Sequence, residues 1–425
     1  MINQNKLIED ITRYGETITL PTEKQTKLFR NALTDTITNT VSVRENGEIF
    51  VATGDIPAMW LRDSTFQVLP YLEIADKVPE VKQLVHGVLR QQLSYLNHDP
   101  YSNAFNKEED GGHYSNDTSN IPISALVWER KFEIDSLCAP LFLAYHLQNK
   151  TGYSDHLDEN FWKTVELAMD TFIHEQNHQD SAYTFERTDC PPSDTLPREG
   201  KGSEIGYTGM VWSAFRPSDD ACTYGYFVPG NMFIVVVIDQ MLTLLNEQKG
   251  YQELTDKMKK LQADILKGIE EFATLEDELG NRYYTYEVDG LGNSLFMDDA
   301  NVPSLLSLPF LGFCQEEDPI YQATRQKILS HDNPYYYEGK VLKGIGSPHT
   351  PPNHVWPISL AMEGLTSTDL DLIKNQLKVI SETDGGTCQC HEGIDVDNPD
   401  NYTREWFSWA NMTYCQLAFH YLALI

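Results

Sequence analysis

Over residues 80–98 the apolar side chains Val81, Leu84, Val85, Val88, Leu89, Leu93 and Leu96 recur at i, i+3, i+4 spacing, with Pro79 suited to a first turn. That period predicts an amphipathic helix with one buried face. Similar stripes run over 22–41, 158–175, 251–273, 319–330 and 368–382. Between them lie segments apolar on most sides, at 64–75, 137–148, 231–245, 303–312, 355–365 and 407–424. A helix that is hydrophobic nearly all round is covered nearly all round. The alternation of the two kinds predicts two concentric layers: an all-α fold, an (α/α)6 barrel of six helical hairpins, with residues 1–425 as one domain. Short β-hairpin insertions are expected at 41–51, where Asn46-Gly47 signals a two-residue turn, and at 282–288 ahead of Asp289-Gly290.

Charge narrows the partners. Asp and Glu number 63 against 32 Lys and Arg, for a formal net charge of -31. Such a surface repels phosphate backbones and anionic headgroups, so neither nucleic acid nor membrane is expected as a partner. The N-terminal stretch lacks a basic, apolar leader, and no run approaches the roughly 18 apolar residues of a membrane span, so a cytoplasmic protein is expected. The seven cysteines are an odd number, and only Cys388 and Cys390 lie close together, which argues against a disulfide framework. Cys388, Cys390 and His391, or His349 with His354, could be drawn as zinc ligands, but no second pair at zinc spacing exists. The run Asp298-Asp299-Ala300-Asn301 lacks the Gly and distal Glu of a calcium loop. Walker, Rossmann and Gly-x-Ser-x-Gly patterns are absent. No metal and no cofactor is expected.

Polar and aromatic clusters precede most of the all-round apolar segments: 53–64, 215–220, 297–301, 346–357 and 404–409. In a barrel of hairpins every inner helix starts at the same end, so these clusters converge on one mouth. Carboxylates, amides, Arg, His and Trp gathered there suit a sugar, whose hydroxyls take paired hydrogen bonds and whose C–H face stacks on aromatic rings. Cleavage of a glycosidic bond needs one protonated and one ionised carboxyl group. The pair Asp219-Asp220 offers a candidate acid, because adjacent carboxylates do not cheaply ionise together. The same pair also suits a helix N-cap and first turn. Glu392 is the second candidate, in the Gly-rich, titratable stretch 384–393.

The motifs Thr53-Gly54-Asp55-Ile56-Pro57-Ala58-Met59-Trp60-Leu61-Arg62-Asp63-Ser64, Phe215-Arg216-Pro217-Ser218-Asp219-Asp220, Val228-Pro229-Gly230-Asn231-Met232-Phe233, Asp298-Asp299-Ala300-Asn301-Val302-Pro303-Ser304, Gly346-Ser347-Pro348-His349-Thr350 and Cys390-His391-Glu392 occur in this order over essentially the whole chain. Together they resemble glycoside hydrolase family 125, the bacterial and fungal exo-α-1,6-mannosidases. The resemblance implies an (α/α)6 barrel, metal-independent hydrolysis with inversion, and release of terminal mannose from α-1,6-linked mannosides such as trimmed N-glycans. It implies Asp220 as general acid and Glu392 as general base. Arg62 and Asp63 would hold hydroxyls of the terminal sugar, with Trp60, Asn301, His349 and Arg404 in the walls. The alternatives are another (α/α) barrel exo-glycosidase, a phosphorylase, or a non-catalytic glycan-binding protein.

Overall fold

The computed structural model describes residues 2–246 and 250–425, so Met1 and 247–249, which the expected domain includes, lie outside the described residues. Its helices alternate in burial along the chain. The inner ones are α3 (Leu61–Val68), α5 (Ile134–Thr151), α7 (Val228–Leu245), α9 (Leu308–Leu311), α11 (Pro357–Leu365) and α13 (Ser408–Ala423). The outer ones are α2 (Glu23–Asn39), α4 (Val81–His98), α6 (Glu159–Glu175), α8 (Gln252–Gly268), α10 (Pro319–Ile328) and α12 (Leu370–Glu382). Helix α1 (Gln4–Thr17), which the sequence reading passed over, packs on α2. In the inner ring α3 touches α5 and α13, α5 touches α7, α7 touches α9, and α11 touches α13. The fold is an (α/α)6 barrel.

The two layers start their helices differently. Four of the six outer helices open on side-chain caps: Thr22 with Gln25 as a capping box, then Asp158, Asp318 and Asp369 accepting from first-turn N–H groups. The residues before the inner helices, Trp60, Glu133, Phe227, Ser307, Trp356 and Phe407, make no such bond. At α3, α7 and α11 the chain enters from a short strand instead. The Leu61 N–H donates to Asn103 O at 3.1 Å and the Val228 N–H to Tyr286 O at 2.9 Å. The N-terminal ends of the inner helices, which carry partial positive charge, therefore gather at one end of the barrel without capping carboxylates of their own.

Three small antiparallel sheets build that end. Strands β3 (Met59–Trp60), β4 (Ala104–Phe105) and β5 (Val127–Glu129) form one, and β6 (Tyr226–Phe227), β7 (Glu287–Val288) and β8 (Ser294–Leu295) another. The third joins β9 (His354–Val355), β10 (Gly393–Asp395) and β11 (Tyr402–Thr403), with Val355 opposite Ile394 and Ile394 opposite Tyr402.

The expected hairpin forms from β1 (Val41–Val43) and β2 (Ile49–Val51), but its turn is longer than two residues. Arg44 and Glu48 still pair, leaving three residues at the tip, and Gly47 takes the left-handed conformation with φ +83° that this wider turn needs. The second hairpin also differs: Arg282–Tyr284 pairs back with Thr274–Glu276, while β7 pairs forward with β8. The inner segment 303–312 is helical only at α9, because Pro309 can stand only in a first turn and Gly312, at φ +96°, ends the helix. Helix α7 is long and apolar enough to cross a membrane, although the sequence reading found no such run. Its apolar surface is packed inside the barrel, with nearly every residue from Val228 to Leu245 buried.

Candidate active site

A cavity of about 260 Å³ opens at the strand-built end. Its walls include Trp60, Arg62, Asp63, Asn301, His349, Glu392 and Arg404, so seven of the eight sequence-selected residues converge as expected. The eighth, Asp220, stands beside this wall, next to His349. Asp219 lines the cavity, whereas Asp220 does not. Asp219 sits at φ +67°, a left-handed conformation uncommon outside glycine. Asp220 accepts a hydrogen bond from Ser218 Oγ at 3.1 Å and lies 3.7 Å from His349 Nδ1. Neither Asp is a helix cap, since α7 begins only at Val228.

The floor is the first turn of α3. Arg62 is buried, its Nη1 donating to Glu133 Oε2 at 2.7 Å and Asp135 Oδ2 at 3.1 Å, and its guanidinium lies 5.4 Å from the Trp409 ring centroid. Its Nε has no acceptor. Asp63 Oδ1 is 3.1 Å from Arg62 Nη2 but off the N–H direction, so it lacks a donor. Burial, only partly offset by Arg62, pushes the Asp63 carboxyl up to about 6. Arg62 and Asp63 both line the cavity, and a guanidinium beside a carboxyl suits two adjacent hydroxyls.

Glu392 stands where β10 begins and is buried; its N–H donates to Thr403 O at 3.2 Å. Because β10 and β11 are paired, Arg404 emerges beside it, with Nη1 3.5 Å from Glu392 Oε1 and Nε 3.1 Å from Asp55 Oδ1. Arg404 is a left-handed non-glycine like Asp219, with φ +40°, and such conformations cost about 1–3 kcal/mol and cluster at functional sites. The neighbouring His391 is held by a stack on Tyr402, centroids 3.7 Å apart, and by Nδ1 bonding to Glu405 O at 2.8 Å.

His349 projects from the loop before β9. A Cβ on Gly346 would lie 2.1 Å from His354 O, so only glycine permits this return of the chain. Burial works to lower His349, but Asp220 first, then Glu392 and Asp219, outweigh it and raise the imidazole to about 9 from 6.5. About 40% of the side chain is nevertheless accessible from the cavity, so solvent screens these charges. A folded-state value above the unfolded one contributes stability below about pH 6.5 that is lost as pH rises through about 9. His349→Asn is therefore expected to flatten the loss of urea midpoint between pH 6 and 9.5; an unchanged slope would contradict this charge state.

The sequence reading missed one wall. Tyr114, Trp128, Glu129, Lys131, Arg187 and Asp194 line the cavity on the side of Asp219. The signal was present: Trp128-Glu129-Arg130-Lys131-Phe132-Glu133 is a polar and aromatic cluster directly before an inner helix, like the five that were singled out. Every cation here has partners. Lys131 Nζ donates to Asp219 O at 2.7 Å and pairs with Asp194; Arg187 pairs with Asp117, Glu129 and Asp194, each at 2.7 Å.

Among the described residues no group of three or more His, Cys, Asp or Glu is arranged to hold a metal ion. Cys390 is buried with its thiol pushed up by burial and then by Asp384, and His354 Nδ1 bonds to Pro352 O. Asp298 accepts from the Leu305 and Leu306 N–H groups at 2.8 and 2.9 Å, which makes it a structural staple for the segment before α9.

A barrel of this kind, with carboxyl groups, aromatic rings and an arginine–aspartate pair around one cavity, is that of a glycoside hydrolase. The chain belongs to the metal-independent alpha-mannosidases, GH125, whose family pattern matches residues 22–419. It is similar to a Streptococcus pneumoniae metal-independent alpha mannosidase in a non-productive substrate complex with alpha-1,6-mannobiose: 42% identity, TM-score 0.93, covering 99% of this chain and 98% of that one. The meiotically up-regulated gene 157 protein of Schizosaccharomyces pombe (strain 972 / ATCC 24843) is 37% identical over 420 residues, covering 94% of this chain and 82% of its relative. A family 78 rhamnosidase of Bacillus sp. GL1, at 13% identity and TM-score 0.53 over 98% of this chain and 35% of that chain, shares the fold alone.

Proposed function

We propose that this protein is a cytoplasmic, single-domain exo-acting enzyme that hydrolyses terminal α-1,6-linked mannose from N-glycan-derived oligosaccharides with inversion, Glu392 serving as general base. The general acid is Asp219. We choose Asp219 over its neighbour Asp220 because a proton donor must reach the glycosidic oxygen, and Asp219 lines the cavity. The single observation that carries the reading is the convergence of Asp219, Glu392, Arg62 and Asp63 on one cavity. The α-1,6 preference is supported by the mannobiose bound to the streptococcal relative.

In this mechanism the terminal mannose sits on Arg62 and Asp63, between Asp219 and Glu392. As the glycosidic bond lengthens, Asp219 gives its proton to the leaving oxygen while Glu392 takes one from a water attacking the opposite face. Inverting enzymes keep roughly 6.5–9.5 Å between the two carboxyl groups to admit that water. Phosphorolysis is disfavoured, since Arg62, Lys131, Arg187 and Arg404 are all already neutralised by carboxylates. The test is an assay of α-1,2-, α-1,3- and α-1,6-mannobiose with and without phosphate and EDTA. Hydrolysis of the α-1,6 isomer, indifferent to both additions, is expected. Mannose 1-phosphate as product, or loss of activity restored by a divalent cation, would contradict the proposal.

A further inference from the structure

Behind the cavity wall lies a group of carboxyls that the mechanism above leaves unused. Asn103 Nδ2 is 2.9 Å from Glu129 Oε1, 3.1 Å from Glu133 Oε1 and 3.3 Å from Asp219 Oδ1. The amide cannot be flipped, because Asn103 Oδ1 accepts from the Lys131 N–H at 3.2 Å. An amide nitrogen has two hydrogens, and three carboxyl oxygens crowd it. The other oxygen of Glu133 is committed, accepting from Arg62 Nη1 at 2.7 Å and Ser136 Oγ at 3.1 Å. Only Glu133 Oε1 is left to face Asp219. The carboxyls here, of Asp63, Glu129, Glu133, Asp135, Asp194 and Asp219, outnumber the cations Arg62, Lys131 and Arg187. A buried excess of negative charge is relieved by keeping protons.

We propose that Glu133, which is fully buried and touches no substrate, holds the proton that keeps Asp219 competent as general acid. The inference rests on Asp219 having that role. Glu133 and Asp219 share one proton, which rests on Glu133 Oε1: as the glycosidic bond lengthens it passes to Asp219, which delivers it to the leaving oxygen. Both carboxyls are then ionised, Glu133 against Arg62. The proton that Glu392 took from water returns to solvent, and solvent restores Glu133, so each turnover consumes one water and no other reactant. The electrostatics agree. Burial, outweighing Arg62 and reinforced by Asp219 and Asp135, holds Glu133 well above the usual carboxyl range. For Asp219 burial is outweighed by Lys131, Arg62 and the hydrogen bond with Glu133, which hold it below its ordinary value. Glu133 is thus a positioning residue acting through Asp219.

The test compares Glu133→Gln with wild type and Asp219→Asn on two substrates, α-1,6-mannobiose and a dinitrophenyl α-mannoside whose leaving group needs no protonation. Glu133→Gln keeps a hydrogen-bonding group of the same shape but cannot release a proton. It is expected to lower kcat on mannobiose at pH 7 by about 100-fold, the lower end of what acid catalysis supplies. KM should be little changed, the alkaline limb of the kcat–pH profile should move to lower pH, and the loss on the aryl mannoside should be less than about tenfold. Equal losses on both substrates with an unmoved alkaline limb would make Glu133 merely structural and overturn the inference. An unaffected Asp219→Asn would instead overturn the underlying assignment. If Glu133→Gln fails to fold, Glu133→Asp, which keeps the charge beside Arg62 but withdraws the carboxyl from Asp219, carries the same comparison.

Discussion

Asp219→Asn and Glu392→Gln are each expected to cut turnover of α-1,6-mannobiose by about 10³-fold or more at neutral pH, with folding intact. General acid and general base catalysis each supply about 10²–10⁴-fold, and an amide of the same shape can neither give up nor take the proton. Asp220→Asn serves as the internal comparison. It touches Ser218 Oγ and the charges on His349 and Asp299, so its loss should stay within about tenfold, or about 1.4 kcal/mol. Steady-state kinetics of the three variants decide between the neighbours: a loss at Asp220 equal to that at Glu392, with Asp219→Asn near normal, would return the acid to Asp220.

Arg62→Met should have the largest effect on stability. Its guanidinium is buried against Glu133, Asp135 and Asp63, and removing one partner of a buried ionic group costs about 3–5 kcal/mol. The sign with pH follows from the carboxyls left behind. Burial already pushes Asp63 up to about 6, and without Arg62 all three would be pushed further above their unfolded values. A raised folded-state value means stability that is kept at low pH and lost as pH rises through it. Urea unfolding at pH 5 and pH 8 should therefore show a larger deficit at pH 8. Unfolding free energies within about 1 kcal/mol of wild type at both pH values would contradict the picture of Arg62 as the counter-ion of this floor.

The layering of the barrel was legible because burial leaves a direct imprint on sequence. A helix such as α4 faces water on one side and must alternate, whereas α7 faces protein on all sides and need not. Where burial and helicity part company, the imprint misleads. Segment 303–312 is apolar because it is buried, yet Pro309 and Gly312 leave it one turn of helix. The convergence of the site was legible for a topological reason: residues before inner helices meet at one mouth whatever their order in the chain. Applied consistently, that rule would have included 128–133 and with it Lys131 and Glu133.

Which of two adjacent aspartates faces the cavity is another matter. It depends on the local turn, in which Asp219 takes a left-handed φ, and neither composition nor periodicity carries that information. The Asn103 contacts join residues 26 to 116 positions apart in sequence, and no local pattern announces them.

The central claim is that a water, activated by Glu392, attacks the face of the sugar opposite the leaving group. Proton NMR of α-1,6-mannobiose during the first minutes of hydrolysis reads this directly, before mutarotation mixes the anomers. The account predicts β-mannose as the anomer first released. Initial release of α-mannose would require a covalent intermediate and two displacements, and would contradict the assignment of Glu392 as a base.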